Sequence, residues 1–484
     1  MARKVLWGSI VMAVTAQLLC TVVWASDAVS PTATARDDLP LSFVAACLVF
    51  LIPAGLTMLA VGASQETEAT TVAVAGLIAI ALGVVVYALV GFGFQFGGLG
   101  LISDLDGVQH LTAEWSPLDR VWGPGWGVIG LDGFMLLKGS SEGELLAVYL
   151  YYAALAATGL SIPLLALARR LKFPPLLGLG LFFGAVVYPI FGNWVWGGGW
   201  LSQVGAKLGL GHGLVDFAGA GTVHALGGFV SLAGILVFGH RLERREQAAK
   251  PPPVHFPLMA SLGTFLLLLG WLGLVGGDPL LTGSVSYAQI LVNVLLAGCA
   301  GILVTSVYMW FATGGADALM VMRGAVSGLV AVSASCAFVP PWAALLIGGI
   351  AGLLLPLSIY LLERRLRLDD PTAAVAMHGI SGLWGLLAVG IFADGVSGRG
   401  WNGVGPSQHL GVAGQGVSGL LVQPGFQPDW PQQMYAQILG VLGLLVLALG
   451  FSWLVFGGLD SLASRVTRAR PDVSSEAGRA PAED

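Results

Sequence analysis

The chain of 484 residues is 56% hydrophobic and only 10% charged, and its formal net charge at pH 7 is −5. Soluble domains carry about 25% charged residues, so this composition excludes an ordinary soluble protein and indicates a membrane protein. All four cysteines lie in apolar stretches, which argues against a disulfide framework, and no nucleic-acid-binding motif stands out.

The first residues have the features of a signal peptide. Arg3 and Lys4 precede an apolar run, and Val23-Trp24-Ala25 offers compact residues at a cleavage point. We expect residues 1–25 to be removed, the alternative being an uncleaved first helix. The membrane domain is then predicted over residues 26–459 and a short, polar, flexible cytoplasmic tail over 460–484.

Eleven apolar runs of about 20 residues follow, and each predicts a membrane-spanning helix. They cover residues 41–63, 70–93, 145–168, 174–196, 214–239, 255–276, 286–311, 320–339, 341–362, 372–393 and 434–457. With the N-terminus outside, the inside segments hold 15 Lys and Arg residues and the outside segments hold 5. Because positive charge concentrates on the inside, the count predicts an all-α polytopic protein with its C-terminus inside.

Two histidines each follow an aspartate by eight residues within apolar stretches. Asp216 precedes His224 on the fifth predicted span, and Asp370 precedes His378 on the tenth. Ionisable groups at membrane depth are costly and indicate a functional site. Their matching positions predict a 5+5 inverted repeat plus one extra helix. The repeats cover about 41–239 and 255–393, and the extra helix covers 434–457.

Each aspartate is expected to accept hydrogen bonds at the start of its helix, and each histidine to lie about 12 Å further along it. Since the two helices run in opposite directions, we expect His224 and His378 to meet near the middle of the membrane. A facing pair of neutral imidazoles provides hydrogen-bond donors and acceptors in an apolar tube. It is suited to holding a small neutral amine or relaying a proton. Two unrelated buried histidines are the alternative.

The residues around these histidines resemble the motifs of a known family. Residues 216–224 are similar to the first histidine motif of the ammonium transporter, methylammonium permease and Rhesus family, and residues 369–385 are similar to its second. Residues 196–199, Trp-Gly-Gly-Gly, and residues 324–331, Gly-Ala-Val-Ser-Gly-Leu-Val-Ala, match as well. The resemblance covers nearly the whole chain, which looks like a divergent bacterial-type member.

The resemblance implies an eleven-helix homotrimer in the inner membrane that has one pore per subunit and no cofactor. Ammonium would be captured at an outer site and deprotonated, and ammonia would pass His224 and His378. Asp216 would be the structural acid beside the outer site, with Asp370 as its counterpart in the second repeat. Trp196 would form an aromatic wall that binds a cation, unless it is an interfacial tryptophan.

The chain departs from the family pattern at four aligned positions. Leu155 and Leu274 stand where gate phenylalanines are usual, and Asp278 replaces a small hydroxyl residue. In the second motif, Ala373 replaces a commoner acid. Tyr151, one turn before Leu155, is expected to supply an aromatic edge to the substrate site. Asp278 is expected to strengthen cation capture by Coulomb attraction, the alternative being a solvated loop acid that caps the next segment.

Three further histidines, His110, His212 and His409, fall in the predicted external connections and are expected to be solvated, so no metal site is predicted. The short tail has little resemblance to the regulatory tails of many family members, which argues against control by a nitrogen-sensing signal-transduction protein. Two other functions compete with transport. One is an ammonium sensor with little flux. The other is a haem-bearing redox subunit, which a missing second histidine pair argues against.

Overall fold

The computed structural model describes residues 39–103, 105, 107–122, 126–137, 143–239, 255–280 and 285–468. The predicted signal peptide therefore lies outside the described residues. The described chain is mostly helical, as the composition predicts for a polytopic membrane protein. Its regular α-helices are Leu39–Val49, Leu51–Gly62, Glu66–Val86, Phe92–Phe96, Asp119–Trp122, Gly143–Leu167, Phe173–Phe182, Tyr188–Val195, Trp200–Leu208, Leu226–Phe238, His255–Gly276, Tyr287–Thr313, Ala318–Val332, Pro341–Tyr360, Ser381–Phe392, Gln432–Leu444 and Ser452–Arg468.

Several of these helices join end to end into segments long and apolar enough to cross a membrane. These segments are α1 (Leu39–Gly62), α2 (Glu66–Leu101), α3 (Gly143–Leu167), α4 (Phe173–Leu208), α5 (Ala220–Phe238), α6 (Phe256–Gly276), α7 (Tyr287–Thr313), α9 (Pro341–Arg365), α10 (Ala374–Phe392) and α11 (Gln432–Ser461). The eighth predicted position holds α8 (Ala318–Val332), a shorter apolar helix. Its 15 residues rise only about 22 Å, less than a bilayer core. Within the described residues, ten segments thus meet the length for crossing, and the eleventh span stays a prediction.

Four segment boundaries differ from those expected. Segments α5 and α10 begin at Ala220 and Ala374, later than predicted, because the residues before them are held in extended or turn conformations. Segment α4 is interrupted after Val195 by a turn containing Gly198 at φ +83°. The last helix continues to Arg468, so the expectation of a flexible tail from residue 460 is wrong for its first nine residues.

Short turns and hairpins complete the fold. The π-helical turns are Tyr87–Gly91, Phe183–Val187, Ala220–Ala225, Leu361–Arg365, Ala374–Ile380 and Leu445–Phe451. The two long connections each contain an antiparallel hairpin, formed by β1 (Glu114–Trp115) with β2 (Ile129–Gly130) and by β3 (Gln408–His409) with β4 (Val412–Ala413). Single 3₁₀ turns cover Leu99–Leu101, Phe134–Leu136 and Trp401–Gly403.

Packing between the helices depends on glycines that allow close backbone approach. A Cβ built on Gly348 of α9 would lie 2.1 Å from the carbonyl oxygen of Ala297 on α7. The neighbouring Gly349 faces open space, since the nearest atom to its Cβ is Val304 Cγ2 at 3.4 Å. Lipid tails are as apolar as the surfaces of the helices, so the hydrophobic effect does not drive helices together in a bilayer. They associate instead through close packing at such small residues.

We therefore expect Gly348→Ala to destabilise the protein by about 1–3 kcal/mol through overpacking. Gly349→Ala is the matched control one residue along the same helix, and it is expected to be neutral because a Cβ fits there. Thermal unfolding of both purified variants in detergent tests this comparison. Equal melting temperatures for the two variants would show that the close contact at Gly348 does not limit the stability of the protein.

Candidate functional site

The two histidines of the repeated spacing meet in the interior of the bundle. The Nδ1 atoms of His224 and His378 lie 3.2 Å apart, and the ring planes differ by only 13°. Both side chains are buried. Each lies in a π-helical turn that opens its helix, a distortion common at functional sites. The prediction of a facing pair is thus reproduced by the geometry.

The short distance between the two Nδ1 atoms determines which ring nitrogens can donate a hydrogen bond and which can accept one. One Nδ1 must donate and the other must accept, so a single proton lies between them. In neutral rings the donor's Nε2 is then an acceptor, while the acceptor's Nε2 carries a hydrogen. Among the described residues, Nε2 of His224 has no hydrogen-bond partner. The pair therefore offers one donor and one acceptor to a small polar molecule that passes it.

Both aspartates hold the helix that carries the histidine. Oδ2 of Asp216 accepts from the backbone N–H groups of Gly221 and Thr222 at 3.1 and 2.7 Å. The two oxygens of Asp370 accept from Ala374 and Val375, both at 2.8 Å. These bonds satisfy amides at the first helical turn, as a helix-capping acid does.

The expected 12 Å helical rise from aspartate to histidine is wrong. Residues 216–219 are not helical, so His224 lies only four residues beyond the first residue of α5. That spacing corresponds to a rise of about 6 Å. His378 stands in the same relation to the start of α10. The two carboxylates act on the backbone, and neither aspartate is among the residues that line the cavities described next.

A cavity of about 170 Å³ lies on the Trp196 side of the histidine pair, and we call it the Trp196 cavity. It is lined by Tyr152, Val195, Trp196, Phe217, Asp278, Leu280, Arg399, Gly400, Trp401 and Asn402. The indole N–H of Trp196 donates to the carbonyl oxygen of Asp216 at 2.9 Å, which fixes the ring. Tyr152 packs edge-on against this ring, with centroids 5.4 Å apart. The indole is therefore part of a built cavity wall rather than an interfacial belt.

Asp278 lines the same cavity and is partly buried. Its carboxylate accepts from the Tyr152 hydroxyl at 3.0 and 3.2 Å and from the N–H of Leu280 at 2.9 Å. Burial raises the pKa of Asp278 to about 6, against the opposing effect of these hydrogen bonds. Asp278 is therefore not fully solvated, and its carboxylate also holds the following turn, as the alternative of a capping loop acid predicts.

The aromatic edge comes from a different tyrosine than the one predicted. The hydroxyl of Tyr151 donates to the backbone carbonyl of Leu274 and is buried between helices. Its neighbour Tyr152 contacts both Trp196 and Asp278. Successive helix residues point about 100° apart, so a register error of one residue selects the wrong face. Tyr151 positions the backbone at Leu274 instead.

The leucines at the two predicted gate positions lie on helices that also carry Tyr152 of the Trp196 cavity and Trp271, which contacts His224. Leu155 lies one turn beyond Tyr151 on α3, and Leu274 lies one turn beyond Trp271 on α6. Both leucines are buried. The indole of Trp271 stacks on His224 with centroids 5.0 Å apart and planes 7° apart, and its N–H donates to Ser333 at 2.9 Å. The sequence analysis did not single out Trp271, which resembles any other tryptophan in an apolar run.

On the other side, His378 borders a smaller cavity. Its lining includes Arg323, Thr372 and Met377, and Arg323 donates to the carbonyl oxygen of Pro371 at 2.7 Å. The two cavities lie on opposite sides of the histidine pair, because α5 enters from one and α10 from the other. This arrangement is what an inverted repeat produces.

Two of the three histidines expected to be solvated are instead brought together. His212 is fully buried, and its ring lies 4.6 Å from that of His409. Burial, followed by the nearby His409, lowers the pKa of His212 to about 3. His409 Nε2 lies 2.8 Å from Oδ2 of Asp429. The expectation of separate, solvated loop histidines is therefore wrong for His212 and His409.

A family model and several curated proteins are similar to this chain. A model of the Ammonium Transporter Family matches residues 41–475. Ammonium transporter Amt2 of Archaeoglobus fulgidus is 36% identical over 368 residues, which cover 74% of this chain and 73% of that protein. A putative ammonium transporter of Synechocystis is 33% identical over 372 residues and covers 73% of this chain and 75% of its own.

Solved structures are similar as well. That of a sensor Amt protein has a TM-score of 0.68 and 28% identity, and it covers 88% of this chain and 93% of its own. Mep2 of Candida albicans also reaches a TM-score of 0.68 and covers 88% of this chain and 85% of its own, but at 23% identity it supports the fold alone.

Proposed function

This chain belongs to the ammonium transporter family, and we propose that it moves ammonium or ammonia across a membrane through a pore that contains His224 and His378. The observation that carries the proposal is a buried imidazole pair, 3.2 Å apart, between two cavities. Curated relatives that are 36% and 33% identical to this chain are named as transporters rather than enzymes.

Capture of the cation is proposed for the Trp196 cavity. The ring face of Trp196 and the carboxylate of Asp278 both attract a small cation, and Tyr152 joins the two. Among the described residues that line this cavity Asp278 is the one acid, so the lining holds a carboxylate charge when Asp278 is ionised and none when Asp278 is protonated. The ionisation state of Asp278 therefore controls how well the cavity holds a cation.

Passage beyond the cavity favours the neutral amine. Leu155 and Leu274 form an apolar layer in which a bare ammonium ion has no counter-charge, so we propose that ammonium gives up a proton above this layer. Ammonia then exchanges hydrogen bonds with the imidazoles of His224 and His378. The buried Trp271 covers one face of His224 and keeps water and alternative rotamers away from it.

The membrane orientation is proposed from the charge distribution. The ends of the helices near Arg323 also carry Arg169, Arg170, Arg364 and Arg365, and Arg170 contacts Asp369 there. Positive charge of this kind marks the inside of a membrane, so the Trp196 cavity would face outward. Placement in the cell inner membrane and a homotrimer with one pore per subunit follow from the family resemblance and are proposed with it.

An ammonium sensor with little flux is the competing function. One similar solved structure is named a sensor, but the curated relatives with higher identity are named transporters, which supports transport. Leu155 and Leu274 stand where the family usually has phenylalanines. Both side chains are apolar, so these differences place no charge in the path.

The experiment that tests transport is a current measurement on a solid-supported membrane, with purified protein in liposomes and a pulse of ammonium. We expect a sustained current whose decay slows as fewer copies are reconstituted per liposome. A brief transient that ignores protein density, together with absent uptake of labelled methylammonium, would contradict transport and support the sensor.

Tyr152 gives a more local test of the capture site. Tyr152→Phe removes the hydrogen bond that holds down the pKa of Asp278, so we expect the pH at which ammonium affinity is lost to move upward from about 6. A hydrogen bond worth under 1 kcal/mol shifts a pKa by under about 0.7 unit, so the apparent affinity should fall by up to about threefold near pH 6 and by less than about twofold at pH 7. Tyr151→Phe is the matched control, because its hydroxyl bonds to Leu274 instead. An unmoved midpoint in Tyr152→Phe would contradict the assignment.

A further inference from the structure

Three side chains far apart in the sequence converge at the Trp196 end of the bundle. His212 lies in the connection between α4 and α5, His409 lies on β3, and Asp429 precedes α11. One ligand atom from each of the three lies within 4.8 Å of the other two. We propose that these residues bind a transition-metal ion of the Zn²⁺ class and tie the three segments together.

His212 provides the strongest evidence that this cluster binds a metal ion. Its side chain has no exposed surface, and among the described residues neither Nδ1 nor Nε2 has a hydrogen-bond partner. Buried imidazole nitrogens are almost always satisfied, so a ring with two unsatisfied nitrogens needs an explanation. A ring nitrogen directed at a metal ion supplies one, because a neutral imidazole is a good metal ligand.

The backbone around His212 is fixed in a way that suits a preformed site. The N–H of His212 donates to the side chain of Gln433 at 2.8 Å, and its carbonyl oxygen accepts from Asn402 at 2.8 Å. The N–H of Gln433 in turn donates to the carbonyl oxygen of Asp429 at 2.9 Å. The backbones of two of the three ligands are thus held by the same glutamine.

The ligand set selects the class of ion. Two imidazoles and a carboxylate suit Zn²⁺ and its neighbours, whereas Ca²⁺ and Mg²⁺ prefer all-oxygen sites. Tetrahedral Zn²⁺ with bonds of about 2.0–2.2 Å separates its ligand atoms by about 3.3 Å. His409 Nε2 and Asp429 Oδ2 are 2.8 Å apart and must separate by about 0.5 Å, while the ligand atom of His212 lies within 4.8 Å of theirs and must approach by up to about 1.5 Å. The side chain of His409 is 14% exposed, which leaves an access route and a fourth position for water.

The site lies directly behind the wall of the Trp196 cavity. Asn402, which holds the carbonyl of His212, also lines that cavity. A bound ion would therefore fix the two connections that form the rim of the cavity. This inference concerns the metal site alone and does not depend on the transported species.

Calorimetric titration of Zn²⁺ into the full chain tests the proposal. The protein is purified in detergent without a polyhistidine tag and dialysed against chelator first. We expect one ion per chain, a higher melting temperature with Zn²⁺, and visible d–d absorption of bound Co²⁺ typical of four ligands. His409→Gln should weaken Zn²⁺ binding by more than about tenfold, since a loss of about 10–100-fold is already typical of removing a residue that only supports a ligand.

His110→Gln is the matched control, because His110 lies in the other long connection and is not in the cluster. It should bind Zn²⁺ as the unchanged chain does. Because His212 is buried, a variant at that position risks misfolding, so the Co²⁺ spectrum of the unchanged chain and His409→Gln decide the outcome. Substoichiometric binding, or equal weakening in His110→Gln and His409→Gln, would overturn the proposal.

Discussion

Replacing His224 by leucine is expected to reduce ammonium transport by about 100-fold. The substitution removes the donor and acceptor that His224 presents and leaves Nδ1 of His378 without its partner at 3.2 Å. A polar molecule that loses its hydrogen bonds in an apolar passage meets a cost of about 3 kcal/mol, and 1.36 kcal/mol corresponds to a factor of ten in rate. Initial uptake of labelled methylammonium into proteoliposomes, at equal amounts of reconstituted protein, measures the effect.

Two further variants separate a pore role from a folding role. His224→Gln keeps a donor and an acceptor, so its transport should lie between that of His224→Leu and the unchanged chain. His110→Leu removes a histidine from a connection outside the pore, and its transport should be unchanged. A His224→Leu variant that folds normally and retains more than about half of the original uptake would exclude the imidazole pair from the transport path.

The paired histidines could be predicted because the same spacing occurs twice in a chain with only 7 histidines. An inverted repeat converts two matching positions into one meeting point, so a sequence pattern carries three-dimensional information. The extended stretches before α5 and α10 could not be predicted. Their apolar residues have the pattern of a helix. Only the hydrogen bonds that Asp216 and Asp370 accept from later backbone N–H groups define where each helix begins.

Other parts of the site depend on contacts between distant segments. Tyr152 is adjacent to Tyr151 in the sequence, and only the helix register decides which of the two faces Trp196. His212 and His409 are almost 200 residues apart and share no spacing pattern, so a metal site there has no local signature. Trp271 likewise becomes distinctive only when its ring is found against His224.

Replacing Asp278 by asparagine is expected to weaken the apparent affinity for ammonium by about tenfold at neutral pH. Asparagine has nearly the same shape, but it removes the negative charge that Asp278 contributes to the lining of the Trp196 cavity. A cation about 4 Å from a carboxylate gains about 1–4 kcal/mol, depending on the effective dielectric constant. The lower part of this range, about 1.4 kcal/mol, applies here because Asp278 is only partly buried.

The pH dependence of ammonium affinity distinguishes an effect of the charge of Asp278 from an effect of its shape. Because burial raises the pKa of Asp278 to about 6, the carboxylate is ionised above that pH and becomes neutral as the pH falls through it. Apparent ammonium affinity of the unchanged chain should therefore weaken between about pH 7.5 and about pH 5, while that of Asp278→Asn stays flat. Asp278→Ser, which restores the small hydroxyl residue usual in the family, should resemble Asp278→Asn.

Glu114→Gln provides the matched control for this titration. Glu114 is another partly buried acid whose pKa is raised, mainly by desolvation, but it is not among the residues that line the Trp196 cavity. Its removal should leave both the affinity and its pH dependence as they are, because no cation approaches it. If Asp278→Asn and Asp278→Ser both keep the original affinity and pH profile, capture must depend on the ring of Trp196 alone, and Asp278 serves only to hold the turn at Leu280.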